Sequence, residues 1–466
     1  MPRINHLPNK NFVLKALLLL LGGLYFFAGA LPKHGDYWNW INTSAAFALD
    51  PLHFMAGLND VGYPPTSYAL GGVWLWLGSH LFHYHLTVIY STILTQTDFP
   101  INSYIWAGPG IFPFWGMIPI LAALFLFVGI AYRELRNKWL ALICFGPITF
   151  VSVFIMGQMD AVCVLFIFAS MILLQRALKA EKYVSLLLLS YLALGVSMQF
   201  KTYGGLLIPA YAIYTLALAR TRKADTPKSL LTFLTLGSCL AAFLVTTFIV
   251  WLPYPGWFNA IILHGESSNL INLPSPGLSQ VLPLVLGYVS SLLSQVPIWE
   301  LGYWVLGYVF IVCYVAVHLP IWVLGYVFIV CYVAVRVFRN PLTSLRDDRY
   351  FVFDNFAIVA WFFIAVSTNP QWWMFLLPPA LLVLDSFRNK NGLVLCILIL
   401  ITFLFYPMWW SWDIYPMQWN WDIGVYAFIA LAALLLFWVL ELRRELGDME
   451  LPLTSARQIR KKLTQL

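Results

Sequence analysis

Eight of the 20 carboxylates of this chain fall in the predicted extracytoplasmic loops or at the helix ends there, in regions that are rich in tryptophan and tyrosine. An ionised carboxylate accepts hydrogen bonds from hydroxyl groups, and an aromatic ring offers a flat apolar face. The combination favours a sugar ligand, whereas the tryptophans alone are also typical of the interfacial belt of a membrane protein. The carboxylates are Asp36, Asp50, Asp60, Asp98, Asp160, Glu266, Asp413 and Asp422.

The first of these regions combines acidic residues with a conformationally restricted backbone. Consecutive prolines fix their own φ angles and force the preceding residue into an extended conformation. We therefore predict a stiff corner in front of a helix that Thr66 or Ser67 can cap. The region contains the strings His34-Gly35-Asp36-Tyr37-Trp38 and Asn59-Asp60-Val61-Gly62-Tyr63-Pro64-Pro65-Thr66-Ser67-Tyr68.

The elements that position these residues are membrane helices. The chain has 466 residues, of which 61% are apolar and only 10% charged, and its mean hydropathy is +0.78. An ordinary soluble domain has about 25% charged residues. The composition therefore excludes a soluble enzyme and a disordered chain, and it predicts a protein that crosses the membrane many times.

The net charge of +7 is a signal of topology. All but two of the 27 Lys and Arg residues, Lys33 and Lys201, lie in clusters next to apolar segments. Placing every cluster in the cytosol satisfies the positive-inside rule. No basic stripe is interleaved with exposed aromatic residues on a soluble surface, so the charge does not indicate a nucleic-acid partner.

The apolar segments predict an all-α integral membrane protein with about 12–14 spanning helices, which we interpret as one polytopic domain over residues 1–466. Tyr68–Phe82 is moderately apolar, and the charge rule favours an interfacial helix there. Residues 443–466 form a basic cytosolic tail. The apolar segments begin near 12, 110, 139, 158, 183, 204, 229, 278, 300, 321, 351, 371, 392 and 423, and the long extracytoplasmic loops are 33–109, 253–277 and 407–422.

One apolar segment occurs twice. Trp304–Val317 is repeated without change at Trp322–Val335. The repeat has no solenoid period, and we interpret it as a local tandem duplication. Two identical neighbouring helices would run antiparallel, which makes the helix count around 304–335 the least certain part of the topology.

Several of these segments together resemble the GT-C glycosyltransferases, integral membrane enzymes that use polyprenyl-phosphate sugars. The first loop is most similar to that of dolichyl-phosphate-mannose and dolichyl-phosphate-glucose dependent enzymes and of their prokaryotic relatives, and the resemblance covers roughly residues 34–210. It implies a GT-C-like helical bundle with a long first extracytoplasmic loop that carries interfacial helices. The matching segments are Gly35-Asp36-Tyr37, Asp60–Tyr68, Met156–Asp160, Gln199–Tyr203 with Pro209, and Asn369–Trp372.

Sugar transfer from a lipid phosphate assigns roles to these residues. A carboxylate must take the proton of the acceptor hydroxyl, and both the resemblance and its position make Asp36 the candidate base. A cation must hold the departing phosphate, and Lys201 is the candidate because a lysine at a helix mouth is costly unless it has a partner. The candidates for substrate contact are Asp60, Tyr63, Gln158, Asp160, Lys201, His264, Glu266 and Gln371.

Each role has a simpler alternative. Asp36 could hydrogen-bond backbone amides of its loop, and Lys201 could snorkel to the interface. Asp160 could merely complement the dipole at the start of a helix, and His264 and Glu266 could belong to a solvated loop. These alternatives stay open at the level of the sequence.

The sequence therefore predicts an inverting glycosyltransferase that moves a hexose, mannose or glucose, from a polyprenyl-phosphate carrier to a lipid-linked or other hydroxyl acceptor. We expect no metal and no cofactor other than the donor substrate, and membrane lipids as partners. The expected location is a bacterial or archaeal plasma membrane, or the endoplasmic reticulum in a eukaryote. The main alternative is a polytopic transporter or lipid flippase, which would carry ionisable residues near the bilayer midplane.

Overall fold

A computed structural model describes residues 10–29, 35–51, 65–83, 111–155, 157, 159–222, 227, 231–232, 234–239, 321–365 and 374–386 of the chain. Within these ranges every regular element is helical. The helices are α1 (Lys10–Ala28), α2 (Gly35–Leu49), α3 (Pro65–Phe82), α4 (Ile111–Glu134), α5 (Asp160–Lys179), α6 (Val184–Ser197), α7 (Ile208–Thr221), α8 (Ile321–Arg339), α9 (Pro341–Arg346), α10 (Asp348–Ala365) and α11 (Leu377–Ser386).

Several described helices have the composition of membrane spans, which confirms the prediction of a multi-pass membrane protein. The total of 12–14 spans stays a prediction, because residues 240–320 and 387–466, with the basic tail 443–466, lie outside the described residues. Three described helices are long and apolar enough to cross a membrane, Asn11–Ala28, Phe114–Glu134 and Asp160–Lys179, and two are apolar but shorter, Val184–Ser197 and Met374–Ser386.

The apolar segment that begins near 139 is a broken helix, so the prediction of a continuous helix there is wrong. Gly146 and Pro147 explain the break, because proline lacks an N–H and disfavours a helical residue before it. The Tyr25 hydroxyl in α1 donates to the carbonyl oxygens of Phe145 and Gly146 at 2.7 and 3.1 Å, which satisfies carbonyls at the break. The parts are a 3-10 helix over Lys138–Phe145, an α-turn over Pro147–Thr149 and a π-helix over Phe150–Ile155.

Basic residues from several of the sequence clusters meet at one end of the helices, which we call the basic end. The Lys179 ammonium lies 2.6 Å from a carboxylate oxygen of Asp348, and Arg136 lies 3.6 Å from Asp385. Arg222 donates to the carbonyl oxygen of Leu178. The C-terminal ends of α5, α7 and α11 therefore lie beside the N-terminal end of α10, as the placement of these clusters on one side of the membrane requires.

Asp347, between α9 and α10 at the basic end, shows what an exposed pair does to a carboxylate. Burial raises its pKa, but hydrogen bonds from Arg349 and the charge of that guanidinium outweigh burial and leave the pKa below its ordinary value of 3.8. Exposed pairs of this kind contribute little to stability, so we treat the basic end as a topological feature.

A buried ion pair joins three helices close to the basic end. Arg336 of α8 pairs with Asp354 of α10, and the Tyr214 hydroxyl of α7 donates to the same carboxylate at 2.7 Å. The side chains of Arg336 and Asp354 are only 14% and 5% exposed. The sequence interpretation groups Arg336 with a cytosolic cluster, and the structure adds that its charge is held between helices close to that end.

The first loop contains a helical hairpin made of α2 and α3. Gly71 and Gly72 let the two helices approach closely, since a Cβ on Gly71 would lie 2.7 Å from the Trp40 ring and one on Gly72 would lie 2.6 Å from the Phe47 ring. The helix predicted over Tyr68–Phe82 is present as α3. The helix α2 was not predicted, and it means that Asp36 lies in the first turn of a helix and not in a loop.

Candidate active site

Lys201 and Asp160 form a buried ion pair at the end of the helices that lies opposite the basic end. The Lys201 ammonium is 2.8 Å from Asp160 Oδ1, and the two side chains are 10% and 0% exposed. The Ser152 hydroxyl donates to Asp160 Oδ2 at 3.2 Å. We call this the site end. It is separated from Lys179 by the 20 residues of α5, about 30 Å of helix, which matches the hydrocarbon thickness of a bilayer.

Local structure explains why a carboxylate and an ammonium are tolerated together here. Asp160 is the first residue of α5, where the helix dipole stabilises a negative charge. Lys201 has extended backbone angles and immediately precedes the 3-10 helix over Thr202–Leu207. Its carbonyl oxygen accepts a hydrogen bond from the Cys163 thiol at 3.5 Å. The lysine is thus fixed to α5 through both its backbone and its side chain.

Aromatic side chains from two further helices cover the ion pair. The Lys201 ammonium lies 5.9 Å from the centre of the Phe375 ring, within the range of a cation–π contact. The Tyr203 ring packs 4.6 Å from the Phe375 ring and 5.7 Å from the Phe362 ring. The described aromatic residues therefore shield the ion pair from water, and an electrostatic interaction there is stronger than in water.

The α2–α3 hairpin contacts this end through Tyr37, the residue after Asp36. Gly157 has a φ angle of +61°, and a Cβ there would lie 2.6 Å from Tyr37 Cβ and Cδ2. A Cβ on Gly116 of α4 would overlap the Tyr37 hydroxyl. The Tyr37 ring is fully buried between these two glycines. The start of α2 therefore lies against the turn that leads into Asp160.

A second contact joins the hairpin to the lysine. The Thr66 hydroxyl, in the first turn of α3, donates to Gln199 Oε1 at 2.8 Å. Gln199 is 1% exposed and lies two residues before Lys201. Because α3 begins at Pro65, Thr66 and Ser67 both lie inside its first turn, and the prediction that Thr66 or Ser67 caps the helix is wrong.

The structure brings together the segments that hold three of the predicted site residues. Asp160 and Lys201 are in direct contact, and the backbone of Asp36 is next to Tyr37, which packs against the Gly157 turn. The remaining candidates lie outside the described residues, and their roles stay predictions: Asp60, Tyr63, Gln158, His264, Glu266 and Gln371.

Sequence reasoning named four of the residues that assemble the site, but not for this role: Tyr37, Gly157 and Gln199 only as parts of the segments that carry the resemblance, and Thr66 as a helix cap. Gly157 was a usable signal, because an isolated glycine before a helix often marks a left-handed backbone or a close approach. Ser152 was not named and had no such signal, since serine is ordinary in a helix or a turn. Within the described ranges, no group of three His, Cys, Asp or Glu side chains is placed to hold a metal ion.

Comparison with known protein families finds a match over the segment that carries this ion pair. Residues 111–251, less than one third of the chain, match the family model described as dolichyl-phosphate-mannose-protein mannosyltransferase. The match indicates a membrane glycosyltransferase that is similar to this family over that segment. Both Asp160 and Lys201 lie inside the matched segment, whereas the α2–α3 hairpin precedes it.

The family match bears on the two classes that the sequence left open. It confirms the resemblance to GT-C enzymes and favours a glycosyltransferase over a transporter or flippase. No curated protein and no solved structure matches the chain. The geometry of the site in this glycosyltransferase therefore rests on its own described residues.

Proposed function

We propose that this glycosyltransferase transfers mannose from a polyprenyl-phosphate carrier to a hydroxyl group of a lipid-linked or other acceptor. The observation that carries the proposal is the convergence of Asp36-Tyr37, the Gly157–Asp160 turn and Lys201 at one end of the helices. The family description supports the donor. The end with Lys201 lies opposite the basic end, and the positive-inside rule therefore supports transfer on the extracytoplasmic face.

In the proposed reaction Asp36 acts as the general base. Its carboxylate takes the proton of the acceptor hydroxyl while the hydroxyl oxygen attacks the anomeric carbon of the sugar. The bond between that carbon and the phosphate oxygen breaks, and its electron pair leaves with the polyprenyl phosphate. A single in-line displacement of this kind inverts the anomeric centre, as the sequence analysis predicts.

Lys201 is proposed to stabilise the charge that develops on the departing phosphate. An ammonium is a compact charge with three donors, so it can keep one hydrogen bond to Asp160 and direct another at a phosphate oxygen. Asp160 is proposed to hold Lys201 in place and not to contact the sugar, because its side chain is fully buried and interacts with Lys201 and Ser152. Asp60, Tyr63, Gln158, His264, Glu266 and Gln371 stay proposed substrate contacts.

The test is the variant Asp36→Asn in the purified full chain, supplied with polyprenyl-phosphate-mannose and a lipid-linked acceptor. Loss of a general base lowers turnover by about 10²–10⁴-fold, and we expect a loss in this range with an unchanged unfolding temperature. Asp50→Asn is the matched control, because Asp50 directly follows the other end of the same helix.

Three outcomes would contradict parts of the proposal. Near-normal turnover of Asp36→Asn, at normal expression, removes Asp36 as the base. Faster transfer from polyprenyl-phosphate-glucose than from the mannose donor overturns the choice of sugar. Retention of the donor's anomeric configuration in the product, read by NMR, overturns the single displacement.

A further inference from the structure

We propose that the hydrogen bond between Thr66 and Gln199 is a positioning contact for catalysis, which sets the distance between the hairpin that carries Asp36 and the turn that carries Lys201. The inference rests on the proposed function, because it takes these two residues as the base and the phosphate ligand. It assigns Thr66 and Gln199 a role that depends on their contact with each other and not on contact with the sugar.

The contact is unusual for a threonine in its position. The hydroxyl oxygen of a threonine at the start of a helix ordinarily accepts hydrogen bonds from free backbone N–H groups of that helix's first turn. Thr66 instead donates its hydroxyl to a buried side chain 133 residues away, at 2.8 Å. A buried amide oxygen that loses its donor is costly, so the hydrogen bond favours one placement of α3 over its neighbours.

The segments on both sides of the hydrogen bond are stiff. Thr66 follows two prolines, Pro64 and Pro65. On the other side, the Gln199 amide donates to the Val196 carbonyl at 3.0 Å, and the Lys201 amide donates to the Ser197 carbonyl at 3.2 Å. A displacement at this contact is therefore transmitted to Lys201 and is not absorbed by a flexible loop.

Several contacts hold the hairpin against the other helices. Trp74 Nε1 of α3 donates to the Trp115 carbonyl of α4 at 2.8 Å, and Trp115 Nε1 donates to the Trp74 carbonyl at 2.9 Å. The Thr66 hydrogen bond adds a tie to the segment next to Lys201.

The close packing of Gly71 and Gly72 against α2 makes α2 and α3 move as a unit. Tyr37, packed between Gly116 and Gly157, fixes the Asp36 end of that unit. The Thr66 contact fixes the start of α3. A misplacement of about 1 Å between reacting groups can lower turnover by about 10²-fold.

The test compares three variants of the full chain in the mannose transfer assay. Thr66→Val removes the hydroxyl at nearly constant volume, and we expect kcat to fall about tenfold while the KM for the donor changes less than about twofold. Thr66→Ser retains the donor and should restore most of kcat. Ser79→Ala is the matched control, because Ser79 lies on the same helix and its hydroxyl, within the described part of the chain, hydrogen-bonds to the Trp76 carbonyl and to His80 of that helix.

Combination with Gln199→Leu separates a specific contact from general damage. If Thr66 acts through Gln199, the double variant loses no more kcat than Gln199→Leu alone. Wild-type kcat in Thr66→Val, no rescue by Thr66→Ser, or fully additive losses would each overturn the proposal. An equal loss in Ser79→Ala would overturn it as well, because the effect would then belong to α3 in general.

A second readout keeps this inference separate from the proposed function. If the wild-type chain transfers no mannose, the proposed function fails, and amide hydrogen exchange over residues 199–207 then tests the contact itself. Faster exchange in Thr66→Val than in Ser79→Ala supports the contact as the element that orders the Lys201 turn. Equal exchange in the two variants overturns it.

Discussion

Within the described residues, this glycosyltransferase buries two ion pairs, one at each end of its helices. At the site end the anion, Asp160, begins α5 and the cation, Lys201, lies in a turn. Near the basic end the cation, Arg336, and the anion, Asp354, both lie inside helices. Both pairs are almost inaccessible to solvent, so burial alone gives no reason to call one of them functional.

The two pairs differ in the chemistry of the cation. The Arg336 guanidinium is planar, and it interacts with Asp354, with the Tyr214 hydroxyl at 3.1 Å and with the Tyr350 ring at 4.7 Å. These contacts orient the planar guanidinium, although its Nε and Nη1 atoms have no hydrogen-bond partner among the described residues. An ammonium can rotate its three donors, so Lys201 can keep Asp160 and still bind a second anion.

The pairs also differ in what surrounds them. The Lys201 pair lies beside the turn that contacts Tyr37, the residue after the proposed base Asp36. It also falls in the segment that matches the mannosyltransferase family. The Arg336 pair joins α7, α8 and α10 at the other end. The comparison teaches that the neighbours of a buried ion pair, and not its burial, make the Lys201 pair the candidate for a role in catalysis.

The largest effect is expected from Arg336→Met, which leaves Asp354 buried without its cation. Removing one partner of a buried ion pair costs about 3–5 kcal/mol of unfolding free energy. We expect a correspondingly lower unfolding temperature in detergent, with normal mannose transfer per folded molecule.

The double variant Arg336→Met/Asp354→Leu is the control for this prediction. Replacing both charges of a buried pair by apolar side chains is often neutral, so the double variant should recover most of the lost stability. A fall in turnover per folded molecule that persists in the double variant would show that this pair takes part in the reaction.

The next effect is expected from Lys201→Met in the transfer assay. Removing one donor that stabilises a developing negative charge lowers turnover by about 10²–10³-fold, and we expect a loss in that range. The single variant also leaves Asp160 buried without its cation, so its stability should fall at the same time.

The double variant Asp160→Asn/Lys201→Met separates the two consequences. It removes both charges, so stability should recover while turnover stays low. Recovery of turnover together with stability would mean that the Lys201 pair is structural like the Arg336 pair, and the proposed role of Lys201 would then be wrong.

The sequence predicted the residues of the Lys201 pair better than those of the Arg336 pair, for a physical reason. Asp160 and Lys201 stood out because each charge interrupts a long apolar stretch, and a charge in such a place is costly. Arg336 lies three residues before Arg339, where the positive-inside rule explains any arginine. Its partners, Asp354 and Tyr214, are brought to it only by helix packing, which has no trace in a local pattern.

The backbone around Asp36 was also beyond the reach of the sequence. The helix α2 contains three aromatic residues and two asparagines in its first half, so no apolar period marks it. Its stability comes from close packing of Tyr37, Trp40 and Ile41, which are fully buried or nearly so. The broken helix over 138–155 shows the converse case, because Gly146-Pro147 was a readable break inside an apolar pattern.

The smallest effect that still distinguishes the two ends is expected from Gly157→Ala. Alanine at a φ of +61° is strained, and its Cβ would meet the Tyr37 ring at 2.6 Å, so about 1–3 kcal/mol of stability should be lost. Because Tyr37 follows Asp36, a shift of its ring moves the start of α2, and kcat should fall about tenfold.

Gly129→Ala, in α4, is the control for this prediction. A Cβ on Gly129 would meet no atom of the described residues within 4 Å, so the substitution should be neutral or stabilising. A Gly157→Ala protein with lower stability and unchanged kcat would show that Tyr37 anchors the hairpin without positioning Asp36. The proposal that the Gly157 turn contributes to catalysis at the site end would then be wrong.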